Sequence, residues 1–109
     1  MKRQRQQLEQ AIEAEVRNAL QAVQSADQRL LAASSQRHDA EEQYASERRR
    51  FDSGLSTVFL VLQRQQTLVT AQALELRART DLNAAVAIFD RAVGATLEQH
   101  GVKIEPRAS

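Results

Sequence analysis

The chain contains no cysteine, and it is poor in glycine, proline and aromatic residues. Its 109 residues include three glycines, one proline, three phenylalanines and one tyrosine, and no tryptophan. The lack of cysteine excludes disulfides and thiolate metal sites. Because glycine and proline interrupt helices, their scarcity beside abundant Ala, Leu, Gln, Arg and Glu predicts an almost entirely helical chain. The aromatic residues are too few to fill a globular core.

The chain also lacks a charge excess and long apolar runs. Fifteen basic residues oppose fourteen acidic ones, which gives a net charge of +1, and each side of Gly54 is close to balanced. This charge balance gives no sign of a nucleic-acid partner. No run of about 18 apolar residues is present, and the first twenty residues have no apolar segment of the secretory type. We therefore expect neither a membrane-spanning helix nor a signal peptide in this chain.

A coiled-coil seam runs through the first half of the sequence. Apolar or small residues recur there at steps of four and three, with Arg37 and Glu47 as two charged residues at positions of the pattern. Many of these positions are alanine, which lets a partner helix approach closely. The apolar and small members are Leu8, Ile12, Val16, Ala19, Val23, Ala26, Leu30, Ala33, Ala40, Tyr44 and Phe51.

The second half carries two apolar tracks instead of one. A single antiparallel partner can cover only one narrow seam, so the wider apolar surface predicts a further neighbour and hence self-association. The alternative is that both tracks pack inside one monomer. The first track is Val61, Leu68, Ala71, Leu74, Ala78, Leu82, Ala85, Phe89, Val93 and Leu97, and the second is Val58, Leu62, Val69, Ala73 and Leu76.

The stretch between the two halves predicts a tight reversal. Ser53 and Gly54 can end the first helix with the glycine in the left-handed conformation, and Ser56 can cap the second helix, with Leu55 packed on Leu60 as a hydrophobic staple. We predict an all-α fold, a long antiparallel two-helix coiled-coil hairpin with its turn at Ser53–Ser56. It forms a single domain with helix one at about 4–52, the turn at 53–56, helix two at about 57–99 and a tail at 100–109.

No pattern of catalytic or metal-binding residues accompanies this architecture. The two histidines, His38 and His100, are sixty-two residues apart, and a turn at Gly54 places His38 opposite a residue near position 70. A shared metal site or catalytic pair is therefore not expected. The sequence also has no glycine-rich phosphate loop. We predict a protein that is not an enzyme and that needs no cofactor or metal.

The residues around the turn resemble the coiled-coil hairpin of the TolC-like outer membrane efflux protein family. The family pattern is an Arg and an aromatic residue, two variable residues, Gly, an aliphatic residue and Ser or Thr, then a Val-Leu pair, a Gln-rich segment, an Ala run and Ala-x-Gly. These features are filled here by Arg50, Phe51, Gly54, Leu55, Ser56 and Thr57, then Val61, Leu62, Gln63 to Gln66, Ala84 to Ala87, Ala92 and Gly94. The resemblance covers about residues 8–97.

This resemblance implies a periplasmic function in export. In such proteins, three protomers build an α-helical barrel through the periplasm, and the hairpin turns meet the adaptor protein of an inner membrane pump. It implies that this chain is a segment of that conduit for small molecules and self-associates. Its adaptor-docking tip would then be Arg50, Phe51, Gly54, Leu55, Ser56 and Thr57. The alternative is that these residues only form the turn and bind no partner, and this alternative applies above all to Gly54 and Ser56.

The sequence departs from a complete family member in three respects. It shows one hairpin instead of two, no export signal and no membrane-spanning strands. The intact protein would therefore contact the outer membrane only through parts that are absent from this chain. We interpret the chain as a fragment corresponding to the second repeat, and a truncated gene would look the same. The alternative function is a self-associating coiled-coil scaffold or interaction module with no role in transport.

Overall fold

The computed structural model of the protein describes residues 2–99 and contains two long α-helices. Helix α1 spans Lys2–Asp52 and helix α2 spans Val58–Gln99. No strand occurs within residues 2–99, and the chain folds as an all-α helical hairpin, which confirms the predicted fold class. Both helices begin within two residues of the predicted starts, and α1 ends at the predicted residue. The predicted tail at 100–109 lies outside the described residues.

Two compact units divide the chain, and both helices contribute to each of them. Within the described residues, one unit contains 2–26 and 82–99, and the other is Asp27–Asp81. The turn and all residues of the candidate tip belong to the second unit.

The seam of α1 in the Asp27–Asp81 unit follows the predicted pattern, including its two charged members. Ala33 and Ala40 are buried, Leu30 and Tyr44 are half-buried, and the flanking residues are exposed except Ser34 and Glu41, which are half-buried. Arg37 is half-buried and Glu47 is buried, so both occupy seam positions in the fold as well as in the sequence. Phe51, the last predicted member, is exposed because it lies in the final turn of α1, where the chain reverses.

The seam of α2 in the same unit differs from the predicted track at one position. Leu74 was expected in the seam, but it is exposed, and the half-buried residue is its neighbour Glu75. The observed seam runs through Leu68, Ala71, Glu75 and Ala78, which preserves steps of three and four. Glu75 takes this place because Arg37 on α1 binds its carboxylate across the interface.

The other unit has a similar seam built from small and aliphatic residues. Ala19, Ala26 and Ala92 are its buried residues. Half-buried aliphatic and aromatic side chains accompany them, namely Ile12, Val16, Val23, Leu82 and Phe89. Leu8 was expected in this seam and is exposed. Among the described residues no large side chain is fully buried. The two helices therefore pack through a narrow stripe of mostly small side chains, as the low aromatic content predicts.

Candidate functional site

The reversal at the end of α1 is closed by a Schellman motif. The amide of Leu55 donates to the carbonyl of Arg50 at 2.8 Å, and the amide of Gly54 donates to the carbonyl of Phe51 at 3.0 Å. Gly54 has φ of +78°, the left-handed conformation that glycine adopts without a steric penalty. The predicted role of Gly54 as the helix-ending residue is therefore confirmed.

The cap of α2 is Thr57, and the prediction that Ser56 caps this helix is wrong. The Thr57 Oγ1 accepts a hydrogen bond from the amide of Leu60 at 3.2 Å, the usual bond from an N-cap side chain to the third helical residue. With Thr57 as the cap, the staple positions would be Ser56 and Val61. The predicted staple between Leu55 and Leu60 therefore does not form part of this helix start, and Leu55 is 71% exposed.

Ser56 instead fastens the turn to α1 through a buried carboxylate. Its Oγ donates to Glu47 Oε2 at 2.9 Å. The Glu47 side chain is only 8% exposed, and the Nε atoms of Arg64 and Arg50 lie 3.8 Å and 3.9 Å from its carboxylate oxygens. Arg64 also donates to Gln43 Oε1 at 3.1 Å. This cluster joins α1, the turn and α2, so it fixes the position of the tip.

Glu47 was recognised in the sequence only as a charged residue in an apolar seam. The signal that could have revealed its role is that same anomaly, because a buried carboxylate requires hydrogen-bond donors nearby. A shallow hollow of about 340 Å³ opens beside it, lined by charged and polar side chains. The lining residues are Asp39, Glu42, Gln43, Ser46, Glu47, Arg50 and Arg64.

The tip exposes apolar side chains beside the charged residues Arg49, Arg50 and Asp52. Leu55 and Phe59 are both more than two-thirds exposed, and Phe51 is exposed to a smaller degree. Phe59 was not among the predicted site residues because it belongs to neither apolar track of α2. Of the predicted tip residues, Ser56 and Gly54 serve the turn itself and Thr57 caps the helix, whereas Leu55 and Phe51 are available for contact. The tip can therefore offer apolar surface to a partner without rearranging its backbone.

A second polar layer crosses the hairpin further from the turn. Arg37 Nε donates to Glu75 Oε2 at 2.9 Å, and Arg37 also binds Glu41 on its own helix at 2.9 Å. The hydrogen bond from Arg37, followed by one from Ser34, holds the pKa of Glu75 below its ordinary value. The hydrogen bonds to Glu75 and then to Glu41 raise the pKa of Arg37. A charged pair at facing seam positions favours one register, because a shifted register would leave both charges without partners.

The second apolar track of α2 is exposed in the described structure. Val58, Leu62, Val69 and Leu76 are between 52% and 64% exposed, and Ala73 is exposed as well. The alternative that both tracks pack inside one monomer is therefore wrong for this track. The hairpin covers the first track except Leu74 and leaves the second track uncovered, as expected for one partner helix.

The histidines form no site in the described structure. His38 is exposed, and its Nε2 lies 3.2 Å from Glu42 Oε1, one turn along the same helix. His100 lies outside the described residues. Within residues 2–99 no three or more His, Cys, Asp or Glu side chains are grouped as metal ligands would be. Neither helix, over the residues described, has a segment long and apolar enough to cross a membrane.

Comparison of the chain with protein-family models, with curated proteins and with solved structures finds no match.

Proposed function

We propose that the chain is a periplasmic α-barrel segment of an outer membrane efflux channel, forming part of the conduit wall and the tip that docks on an adaptor protein. The observation that supports this proposal is the tip. A left-handed Gly54 and a buried Glu47 anchor the turn, while Leu55 is exposed at its crest. This arrangement occurs at the residues through which the sequence resembles TolC-like proteins.

The proposed mechanism is passive. The hairpin supplies wall and docking surface, and the pump in the inner membrane supplies the energy. A tip of this kind suits docking because its backbone is already fixed by the Schellman motif and by the bond from Ser56 to Glu47. Binding then requires little further ordering of the chain, which lowers the entropic cost of association. The apolar side chain of Leu55 provides the contact that becomes buried.

Substitution of Leu55 in the intact gene tests this proposal. Leu55→Asp places a charge at the centre of the proposed contact and leaves the turn hydrogen bonds intact, because these use the backbone of residue 55. The matched control is Leu31→Asp, since Leu31 is 64% exposed on α1 and far along the chain from the turn. The measurements are export of a fluorescent substrate and in-cell cross-linking to the adaptor.

We expect Leu55→Asp to abolish cross-linking to the adaptor and export, and Leu31→Asp to retain both. The helical circular dichroism of each purified variant shows whether the hairpin remains folded. Normal export by Leu55→Asp, or equal loss in both variants, would refute the assignment of the tip.

The alternative function is a self-associating coiled-coil scaffold, and the exposed second track of α2 favours it. The scaffold needs that surface but does not need the tip pattern. The two functions differ in the rest of the gene: a channel requires an export signal, amphipathic strands and a second hairpin. They also differ in phenotype, because deletion of a channel gene sensitises the cell to toxic compounds that the channel exports, whereas deletion of a scaffold gene does not alter export.

A further inference from the structure

A second coiled-coil seam lies on the exposed side of α2. It consists of Val58, Leu62, Gln65, Val69, Gln72 and Leu76, which follow one another at steps of four and three, and all six are exposed. We call this set the outer seam. Its spacing is that of the core positions of a coiled coil, so it can receive another helix along nearly three heptads, which is about five turns of α2.

Charged residues are few along most of the outer seam. Between Val58 and Leu74 the only charged residue is Arg64, and its guanidinium is directed to Gln43 and Glu47 on α1. Burial of the outer seam as far as Gln72 therefore desolvates no free charge, whereas Arg77 and Arg79 are exposed beside Leu76 at its far end. The exposed face of α1 is different, since its exposed leucines, Leu8, Leu20 and Leu31, are more than ten residues apart and lie among charged and polar side chains. The best match for the outer seam is thus another outer seam.

The exposed apolar residues of the outer seam are followed by others at the tip. The four apolar members of the outer seam are 52–64% exposed, and Leu55 and Phe59 at the tip are 71% and 73% exposed. Apolar surface grouped in this way is typical of sites that bind another protein.

We propose that the outer seam binds a second copy of this chain, with α2 against α2, parallel and in register. The direction follows from the order of residues. The outer seam alternates between two sets of positions, one holding Leu62, Val69 and Leu76 and the other holding Val58, Gln65 and Gln72. In a parallel pair each set meets itself, whereas in an antiparallel pair each set meets the other.

The parallel arrangement gives the side-chain amides of both glutamines hydrogen-bond partners. Leucine and valine then pack on leucine and valine, and Gln65 and Gln72 meet their equivalents, where each amide can both donate and accept a hydrogen bond. The antiparallel arrangement that places residue 76 near residue 58 buries Gln65 against Val69 and Gln72 against Leu62, which leaves the amides without partners and is unfavourable. This inference deepens the self-association of the scaffold function and rests on it. A parallel α2–α2 pair is a two-fold contact that closes at two copies, so it is not the contact that would join three protomers into a conduit.

The first test is the mass of the purified chain in solution, measured by sedimentation equilibrium over a range of concentrations. We expect an assembly larger than a monomer that dissociates on dilution. The double variant Leu62→Gln with Leu76→Gln should weaken association at least about 100-fold, because each copy loses two leucine side chains from the interface. The matched control is Leu20→Gln with Leu31→Gln, which makes the same chemical change on α1 and should associate like the unsubstituted chain.

The second test uses the lack of cysteine to measure direction. A single Leu76→Cys substitution should form a disulfide between copies under mild oxidation, because a parallel, in-register pair brings equivalent seam positions to the separation that a disulfide spans. An antiparallel pair places residue 76 near residue 58 of the other copy, about 27 Å along the axis from the equivalent cysteine. Leu31→Cys on α1 is the control and should remain reduced.

Three results would overturn the proposal: a monomer at every concentration, equal association of the two double variants, or a disulfide with Leu31→Cys but none with Leu76→Cys. These results are separable from failure of the proposed function. The intact gene can support export although the purified chain stays monomeric, and the purified chain can associate through the outer seam although its gene has no role in export.

Discussion

The two internal glycines should respond in opposite directions to the same substitution. Gly54 has φ of +78° and Gly94 lies inside α2, yet a Cβ atom added at either position would meet no atom within 4 Å. Steric contact is therefore equal at the two sites and only the backbone conformation differs. This makes Gly54→Ala and Gly94→Ala a matched pair.

The magnitudes follow from the two conformations. An alanine in the left-handed conformation destabilises the folded state by roughly 1–2 kcal/mol. The same substitution lowers the conformational entropy of the unfolded chain, which stabilises the folded state by about 0.4–1 kcal/mol. Gly54→Ala should therefore lower the free energy of unfolding by about 1 kcal/mol. Gly94→Ala should raise it by about 0.5–1 kcal/mol, because alanine is the better residue inside a helix. The two variants should differ by about 2 kcal/mol.

Urea denaturation followed by circular dichroism at 222 nm measures this difference at one fixed protein concentration. Gly54→Asn provides an internal check, since asparagine tolerates the left-handed conformation better than alanine and should lose less stability. Equal stability of Gly54→Ala and the unsubstituted chain would refute the role of Gly54 in ending α1. A destabilised Gly94→Ala would show that this glycine contacts something beyond the hairpin.

Three further outcomes follow from the polar contacts. Thr57→Ala should reduce the free energy of unfolding by about 1 kcal/mol through loss of the cap of α2, as measured by urea denaturation. Ser56→Ala should cost about 1 kcal/mol or more by the same measurement, because the buried Glu47 loses a hydrogen-bond donor, and no loss would contradict the anchoring of the turn. The pKa of Glu75 is lowered in the folded state by Arg37, so its contribution to stability is present above the ordinary value of about 4.5 and is lost as the pH falls through the folded pKa. The melting temperature of Glu75→Gln should accordingly fall less than that of the unsubstituted chain between pH 6 and pH 3, and equal falls would contradict the contact with Arg37.

The sequence was sufficient to predict the helices, the turn and most of the α1 seam. These features depend on local signals: the near absence of helix-breaking residues, the alternation of steps of three and four, and a glycine at the place within residues 2–99 where a left-handed residue is required. Even Arg37 and Glu47 could be placed in the seam, because the spacing of their neighbours determines their position regardless of their charge.

Other features depend on contacts between residues distant in the chain and were missed for that reason. Leu74 was preferred to Glu75 on hydrophobicity, but the partner that makes Glu75 favourable lies on the other helix. The cap of α2 was assigned to the wrong one of two neighbouring hydroxyl residues, because the choice between Ser56 and Thr57 depends on Glu47, nine residues before Ser56. The exposure of Phe59 followed from no local pattern.

The two helices differ in the number of apolar faces that they present, and this difference bears on both proposed functions. α1 has one narrow apolar seam, and charged residues occupy much of the rest of its surface. Pairing with α2 inside the hairpin therefore covers the apolar seam of α1. α2 has the same kind of seam toward α1 and a second one on its exposed side. A helix with two seams can be shared between two neighbours, which is the property that lets helical hairpins join side by side into a larger wall or bundle. The scaffold function needs only this property, whereas the channel function also needs the exposed Leu55, so the response of export to Leu55→Asp separates the two.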